Sequence, residues 1–258
     1  FSLVATVSDA AGNPAQAQTQ VIIDTQAGIS LNIETHGDGV INAIEAPATK
    51  LFGSTTDVNN GQQVQISVTD SAGNQRIFVT EVAFGYFEVA AADLAGLVDG
   101  PLTAFAQVVD NVGNLATANA SADKDTQASI TIQVLSGADQ VLNNLEAPNV
   151  TVQGLVSEIE EGQNVVVTVS DGTQTLTFNT TVLAGEWQLS GLDLSSLSDG
   201  ELVWQASAQD LAGNHASANT YVDKDTAAAL TIQFEQNGND GVLNETEADN
   251  EGLVGSVS

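Results

Sequence analysis

The side chains best suited to chemistry in this sequence are oxygen donors that return at fixed places. One set is Asp38, Asn42 and Glu45, which reappears as Asp139, Asn143 and Glu146 and again as Asp240, Asn244 and Glu247, always as D-x3-N-x2-E. A second is Asp24, followed by the pairs Asp123 and Asp125, then Asp223 and Asp225. A third is Asp99 and Asp199, each followed by Gly, and a fourth is Asp110 and Asp210, each opening an Asp-x-x-Gly-Asn segment. Carboxylates and amide carbonyls in such numbers are what Ca²⁺ takes, six to eight oxygens at about 2.3–2.6 Å, whereas Mg²⁺ keeps its waters and demands a strict octahedron. Zinc lacks partners, since there is no Cys and the only histidines are His36 and His215. Taken singly, Asp-Gly and Asp-x-x-Gly-Asn are ordinary turn formers. The D-x3-N-x2-E loop argues further for a metal, because turn formation does not call for the Glu. The Asp-Lys-Asp at 123–125 and 223–225 sets two like charges side by side.

The elements that must carry these donors repeat as well. Asp24, Asp125 and Asp225 each open a D-T-x-A stretch, 101 and then 100 residues apart, and each stretch leads into an alternating apolar run. A period near 100 suits a string of complete domains rather than a solenoid. The repeat predicts units at 24–124 and 125–224, the last strands of a preceding unit at 1–23 and the first part of a following one at 225–258. The segment is thus expected to be an excerpt of a longer tandem array.

Composition narrows the function. With 4 Lys+Arg against 33 Asp+Glu the formal charge is −29, which excludes nucleic acid as a partner, since phosphates are neutralised by Lys and Arg. An anionic membrane surface repels such a chain, and no apolar run reaches membrane-spanning length. Self-repulsion of this size destabilises a compact state unless cations or salt offset it. No disulfide is available, so each unit of roughly 100 residues must rely on its own core.

Helical periodicity is missing. Short alternating runs rich in Val, Ile, Thr and Leu, broken by Gly, Asn and Asp, predict an all-β sandwich or barrel. Seven strands are expected in the first unit, at 29–34, 49–55, 63–69, 76–82, 86–89, 102–109 and 115–122. The second unit repeats them at 130–134, 150–156, 164–169, 175–182, 186–190, 202–208 and 216–222, with no helix beyond a turn near 92–97 and 193–197. Val64, Ile66 and Val68 match Val165, Val167 and Val169, and Leu102, Ala104, Ala106 and Val108 match Leu202, Trp204, Ala206 and Ala208. Spacing by two places them on one face. Phe87, Trp187 and Trp204 are expected in the core. Strands alternating in direction gather the loops after the first, third and fifth strands at the end where the chain leaves. The acids of the first loop, the Asp99 turn and the exit aspartates then converge, and they are expected to meet loops of the next unit. His36 is expected to be solvated and His215 incidental.

The motifs D-T-x-A, D-G-V-I/L-N-x-x-E-A, G-L-D-L-S-S-L-S-D-G (191–200) and D-x-A-G-N resemble the bacterial Ig-like repeats of giant, type I-secreted RTX biofilm adhesins, and the likeness covers essentially the whole chain. It implies tandem immunoglobulin-like β-sandwich domains in an extended array at the bacterial surface. Such a segment would be an extender, anchored at the outer membrane through other regions, with its adhesive ligand bound elsewhere in the full protein. It also implies calcium at the linkers, held by Asp123 and Asp125, Asp223 and Asp225 and the acids of the first loops. Two departures stand out. Gly28, Ser129 and Ala229 occupy a place that is often Pro in such repeats, and Ile22 stands where the later junctions have Asp123 and Asp223.

The expected function is therefore a calcium-stiffened spacer, monomeric, with neighbouring repeats as its partners. Repeats that themselves hold a glycan or protein are the alternative, although Tyr86 and Tyr221 are the only tyrosines. An enzyme is not expected. No nucleophile–base constellation is visible, and a catalytic site is seldom copied every hundred residues.

Overall fold

A computed structural model describes residues 1–137, 139–234 and 253–257. Two compact units emerge, residues 1–127 with 212–214 and residues 128–211 with 215–258. The first opens on a hairpin of β1 (Ser2–Ser8) and β2 (Pro14–Gln20). Next come β3 (Gly28–Ile29), β4 (Asn32–Ile33), β5 (Val40–Ile41), β6 (Thr49–Thr56), β7 (Gln63–Thr69), β8 (Gln75–Glu81), β9 (Tyr86–Ala92), β10 (Gly100–Val109) and β11 (Leu115–Lys124). The second unit contains β12 (Ser129–Ile130), β13 (Gln133–Leu135), β14 (Val141–Leu142), β15 (Val150–Ser157), β16 (Asn164–Ser170), β17 (Thr175–Thr181), β18 (Glu186–Leu192), β19 (Gly200–Gln209) and β20 (His215–Lys224). A hairpin of β21 (Leu230–Phe234) and β22 (Leu253–Val257) closes the described chain.

In each unit two sheets face one another. In the first, β3 and β4 pair with β6, which pairs with β9, and the opposing sheet runs β5-β11-β10-β7-β8. The second unit repeats both orders, with β12 and β13 on β15 and β18, opposite β14-β20-β19-β16-β17. The alternation seen in the sequence fills the space between: Val64, Ile66, Val68, Leu102, Ala104 and Ala106 meet Leu51 and Phe87. In the copy, Val165, Val167, Val169, Leu202 and Trp204 meet Val152 and Trp187. Among the described residues no helix is long and apolar enough to cross a membrane.

The first strand of each unit differs from expectation, being split in two. At the break Ser30 Oγ accepts the N–H of Ser54 at 2.9 Å, and Thr131 Oγ1 accepts that of Leu155 at 2.7 Å. A hydroxyl thus takes a place that a backbone carbonyl would hold in an unbroken ladder. The released carbonyl turns toward the facing glycine. A Cβ on Gly154 would stand 1.9 Å from Thr131 O and 2.5 Å from Trp187 Nε1, and one on Gly53 would stand 2.0 Å from Ser30 O. Trp187 Nε1 donates to Thr131 O at 3.2 Å, so the core aromatic and the break are one device. The second difference is β5 and β14. These two-residue strands lie inside what reads as an acidic loop and run parallel to the ends of β11 and β20. Ile41 and Leu142 anchor them, both fully buried.

Gly154→Ala is expected to lower stability by about 1–3 kcal/mol, the usual cost of overpacking, read as a drop in the urea midpoint of the second unit.

Candidate functional site

Inward positions of a strand recur every second residue, and in β11 they end on Lys124. Its side chain is 2% exposed, and its ammonium donates to Leu97 O at 2.8 Å and to Asp99 Oδ1 at 2.5 Å. Thr126 closes the cluster, donating its N–H to Asp99 Oδ2 at 3.1 Å and approaching both carboxylate oxygens with its hydroxyl. The second unit is the same. Lys224 donates to Leu197 O at 2.7 Å and Asp199 Oδ1 at 3.0 Å, and Thr226 N–H donates to Asp199 Oδ2 at 3.0 Å. Burial pushes the Asp99 carboxyl up, but Lys124 and Thr126 outweigh it and hold it below the usual range. Asp199 is lowered by the Thr226 N–H first and then by Lys224. Asp99 and Asp199, expected to serve a metal, thus have a buried lysine as their cation. The sequence signal was the middle residue of Asp-Lys-Asp: Lys124 and Lys224 are two of only 4 cationic side chains and stand at equivalent positions. Alternation turns the lysine inward and leaves Asp123 and Asp223 exposed.

Asp110 sits 5% exposed in its hairpin. Its Oδ1 accepts the N–H groups of Val112, Gly113 and Asn114 at 2.7–2.9 Å, and Oδ2 accepts the Asn114 amide at 2.7 Å. Burial raises this carboxyl and the bonds from Asn114, Val112 and Gly113 more than reverse the effect. Asp210, 4% exposed, occupies the matching hairpin. Asp70 uses the same geometry with Asn74 and adds the N–H of Val98 at 2.8 Å. The Val98 bond leads the causes that bring it down to about 2.

The D-x3-N-x2-E loop has a turn role that the sequence reading missed. Asn42 Oδ1 accepts the N–H groups of Ile44 and Glu45 at 2.9 and 3.1 Å, and Glu45 Oε2 accepts the N–H of Asn42 at 3.0 Å. Asn143 and Glu146 do the same. This is the reciprocal capping box with Asn in place of Ser or Thr, so the turn does call for the Glu. Asp38 and Asp139 accept the N–H of Val40 and Val141. Each capping Glu keeps a second oxygen for another partner. In the first unit it is His36, whose Nδ1 lies 2.6 Å from Glu45 Oε1 although the ring is 70% exposed. In the second, Gly137 takes the place of His36. A Cβ there would stand 3.1 Å from Glu146 Oε1 and 3.5 Å from Asp139 Oδ1, so two carboxylates of different origin converge on one point.

The exit and the acidic loop do come together within each unit. Asp123 and Asp125 donate their N–H groups to Gly39 O and Ile41 O, and Asp225 donates to Leu142 O. Asp24, Asp125 and Asp225 each accept the N–H two residues on, at 3.2 Å. Asp24 is exposed, beside the Asn114 amide at 3.5 Å. Asp240, Asn244 and Glu247 lie outside the described residues. No three acidic or histidine side chains are grouped for a metal among the described residues. The second unit also carries a groove of about 670 Å³ that the sequence did not announce, lined by Thr131, Gln133, Gln153, Thr180, Gln188 and the edge of Trp187.

Solved structures similar to this chain include a tetra-tandem repeat from the extending region of a large adhesion protein, 26% identical over all of this chain and 69% of that one, with a TM-score of 0.38. Another is a Ca²⁺-stabilised adhesin that helps an Antarctic bacterium reach out and bind ice, 30% identical over all of this chain and 65% of that one, with a TM-score of 0.48. A bacterial immunoglobulin-like domain from the M. primoryensis ice-binding adhesin is 28% identical over 38% of this chain and 96% of its own length, with a TM-score of 0.28. The chain resembles the repeats of large bacterial adhesins. Like them it is all-β with immunoglobulin-like sandwiches. No family model and no curated protein matches it.

Lys124→Met is expected to destabilise the first unit by about 3–5 kcal/mol, since Asp99 would keep its site without its cation; denaturant unfolding reads the loss. For Asp70, a folded value near 2 against about 3.9 unfolded means its contribution is present above pH ~4 and fades as pH falls toward ~2. The stability gap between wild type and Asp70→Asn is therefore expected to be widest above pH ~4 and to close toward pH ~2, followed by urea midpoints across that window.

Proposed function

We propose that this chain is a non-enzymatic extender segment of a bacterial surface adhesin, in which units 24–124 and 125–224 act as spacers and calcium binds their acidic loops and stiffens the array. The observation that carries the reading is the meeting of Glu146 Oε1 and Asp139 Oδ1 beside Gly137. A hard cation is the partner that two such oxygens suit. The cationic side chains of the chain are placed elsewhere: Lys50 on Glu88, Lys124 on Asp99, Lys224 on Asp199 and Arg76 against Gly96. A net charge of −29 draws the same cation from solution. Calcium is named for one of the similar adhesins. In this chain the ligand set would begin with Asp139 and Glu146 and extend to Asp123, Asp125, Asp223 and Asp225, with Asp24, Asp38, Asn42 and Glu45 in the first unit. The carboxylates of Asp99, Asp199 and Asp110 serve the lysines and the hairpin instead.

Binding to the folded form adds about 1.4–2.7 kcal/mol per site at roughly 10–100 times Kd, and extracellular modules bind at about 10⁻⁴–10⁻³ M. Millimolar calcium is expected to raise the melting temperature, and magnesium to do much less. Asp139→Asn with Glu146→Gln keeps the hydrogen-bond acceptors of the loop and removes its charge, so the calcium shift should shrink while the apo protein stays folded. Small-angle scattering should show a narrower spread of maximum dimension with calcium than with chelator, and Asp123→Asn with Asp125→Asn should abolish the difference. Equal shifts from calcium, magnesium and matched NaCl would sink the calcium reading.

A glycan-holding module is the second reading, and the amide- and hydroxyl-lined groove over Trp187 favours it. Retention on a glycan array that Gln153→Ala with Gln188→Ala removes would support it.

A further inference from the structure

The two sandwiches are copies, so the places where they differ are informative. Outward on β8 stand Ile77 and Val79, against Thr177 and Asn179 on β17. The connection from β6 to β7 differs in another way. Its backbone is the same in both units. Asp57 and Glu158 have left-handed φ values of 57° and 56°, and Gly61 and Gly162 have 84° and 86°. Gly61 donates its N–H to Val82 O at 2.8 Å, as Gly162 does to Val182 O at 2.9 Å. The turn thus demands the glycine. It does not dictate the two residues before it, which are Glu160 and Glu161 in the second unit and Asn59 and Asn60 in the first. Asn is a thermolabile residue, and a following glycine shields its amide least, since it brings no Cβ and lets the chain turn freely.

We propose that Asn60–Gly61 is a modification site, at which the Asn60 amide is converted to a carboxylate, and that the folded loop holds this reaction in reserve. The Gly61 nitrogen bonds to Asn60 Cγ, the Cγ–Nδ2 bond breaks, and ammonia leaves with the proton that the nitrogen gives up. Water then opens the cyclic imide at either carbonyl. One opening leaves an aspartate at position 60. The other leaves an isoaspartyl link, with the main chain running through Cβ. Two hydrogen bonds block the first step, and both come from the short connection between β8 and β9. The Gly61 nitrogen keeps its proton on the carbonyl of Val82, a residue only 2% exposed. Asn60 Oδ1 accepts the Phe84 N–H at 2.7 Å, which fixes the side chain. Val82 also donates its N–H to Gln62 O at 2.9 Å. Separation of the two connections therefore frees the attacking nitrogen and the carbon it attacks together, a local opening that leaves the core closed. Phe84 holds a φ of 52° without being glycine and is 87% exposed, so this contact belongs to the less stable parts of the unit. The two products differ. The aspartate still accepts the Phe84 N–H and puts a carboxylate where the second unit has Glu161. The isoaspartyl link lengthens the main chain, so Gly61 and Gln62 cannot both keep Val82. This chemistry uses the first unit alone and does not depend on calcium.

Site-resolved mass spectrometry of the whole chain tests it, with Asn237→Gln present so that the other Asn–Gly pair, at 237–238 and outside the described residues, adds no signal. The chain is incubated in mildly alkaline buffer with and without urea, and the mass gain of an amide becoming an acid is followed at Asn60. Conversion is expected to be about tenfold or more slower in the folded chain than in urea. The ratio of the two rates should follow the hydrogen-exchange protection of the Gly61 N–H, which reports the same opening. Asn60→Asp should unfold at the wild-type urea midpoint, the isolated isoaspartyl form at a lower one, and Asn60→Gln should remove the reaction. Equal rates in the folded and unfolded chain overturn the lock. Absence of conversion in urea overturns the site. Conversion in the folded chain that outruns what Gly61 exchange allows overturns the shared opening.

Discussion

Each sandwich is closed at its exit by an ammonium group held inside protein. Lys124 joins two segments that are distant in sequence: the end of β11 and the crossover just before β10, where it meets the Leu97 carbonyl and Asp99, which in turn holds Thr126 just past β11. An ion so buried is costly unless its charge and hydrogen bonds are answered, and here a carboxylate and a carbonyl answer it. The direction in which the chain leaves the unit follows from this cluster. So does the position of the acidic loop, because β5 pairs with the same last residues of β11, through Asp123 and Lys124. That Lys224, Leu197, Asp199 and Thr226 reproduce the arrangement shows that the exit is built to be repeated.

Much of this was legible in the sequence wherever one rule governed a stretch. β7 was readable to the residue, and β10 and β11 nearly so, because period-two alternation with one buried face fixes register. The edges of legibility were places where side chains replace backbone partners. The split between β3 and β4 depends on the Ser30 hydroxyl and on room made by Gly53, and no alternation reports that. β5 was hidden because Val40 and Ile41 are too few to read as a strand amid acids. The acids themselves were readable in position and ambiguous in role. Asp110 and Asp99 carry residue types suited to calcium, yet their oxygens are taken by an Asx hairpin and by a lysine. Glu45 is surplus to a turn by residue type alone, yet N-x-x-E closes here as a capping box.

The comparison between units separates what the fold demands from what it permits. Leu97, Asp99 and Lys124 recur in the copy, and so do Asn42 and Glu45, as parts of the frame. His36 becomes Gly137, Phe87 becomes Trp187, and the outward residues of β8 change character altogether. The first substitution alters the company of a carboxylate, the second the donor that holds the broken strand, and the third what the surface offers to another molecule.

The scarcity of cations has a consequence for durability. A protease that cuts after lysine or arginine finds four such bonds in the chain. Two follow side chains only 3% and 4% exposed, at the ends of β11 and β20, and the other two lie within β6 and β8, where the backbone is committed to a ladder. Cleavage needs an extended, accessible segment, so three of these bonds are shielded while their sandwich is folded, and the one after Arg76, exposed on the edge strand β8, is left within reach. The loops, which are the accessible segments, contain no lysine or arginine among the described positions. Digestion by trypsin-like enzymes in a shared environment would therefore have to start at the β8 edge or wait for a unit to unfold.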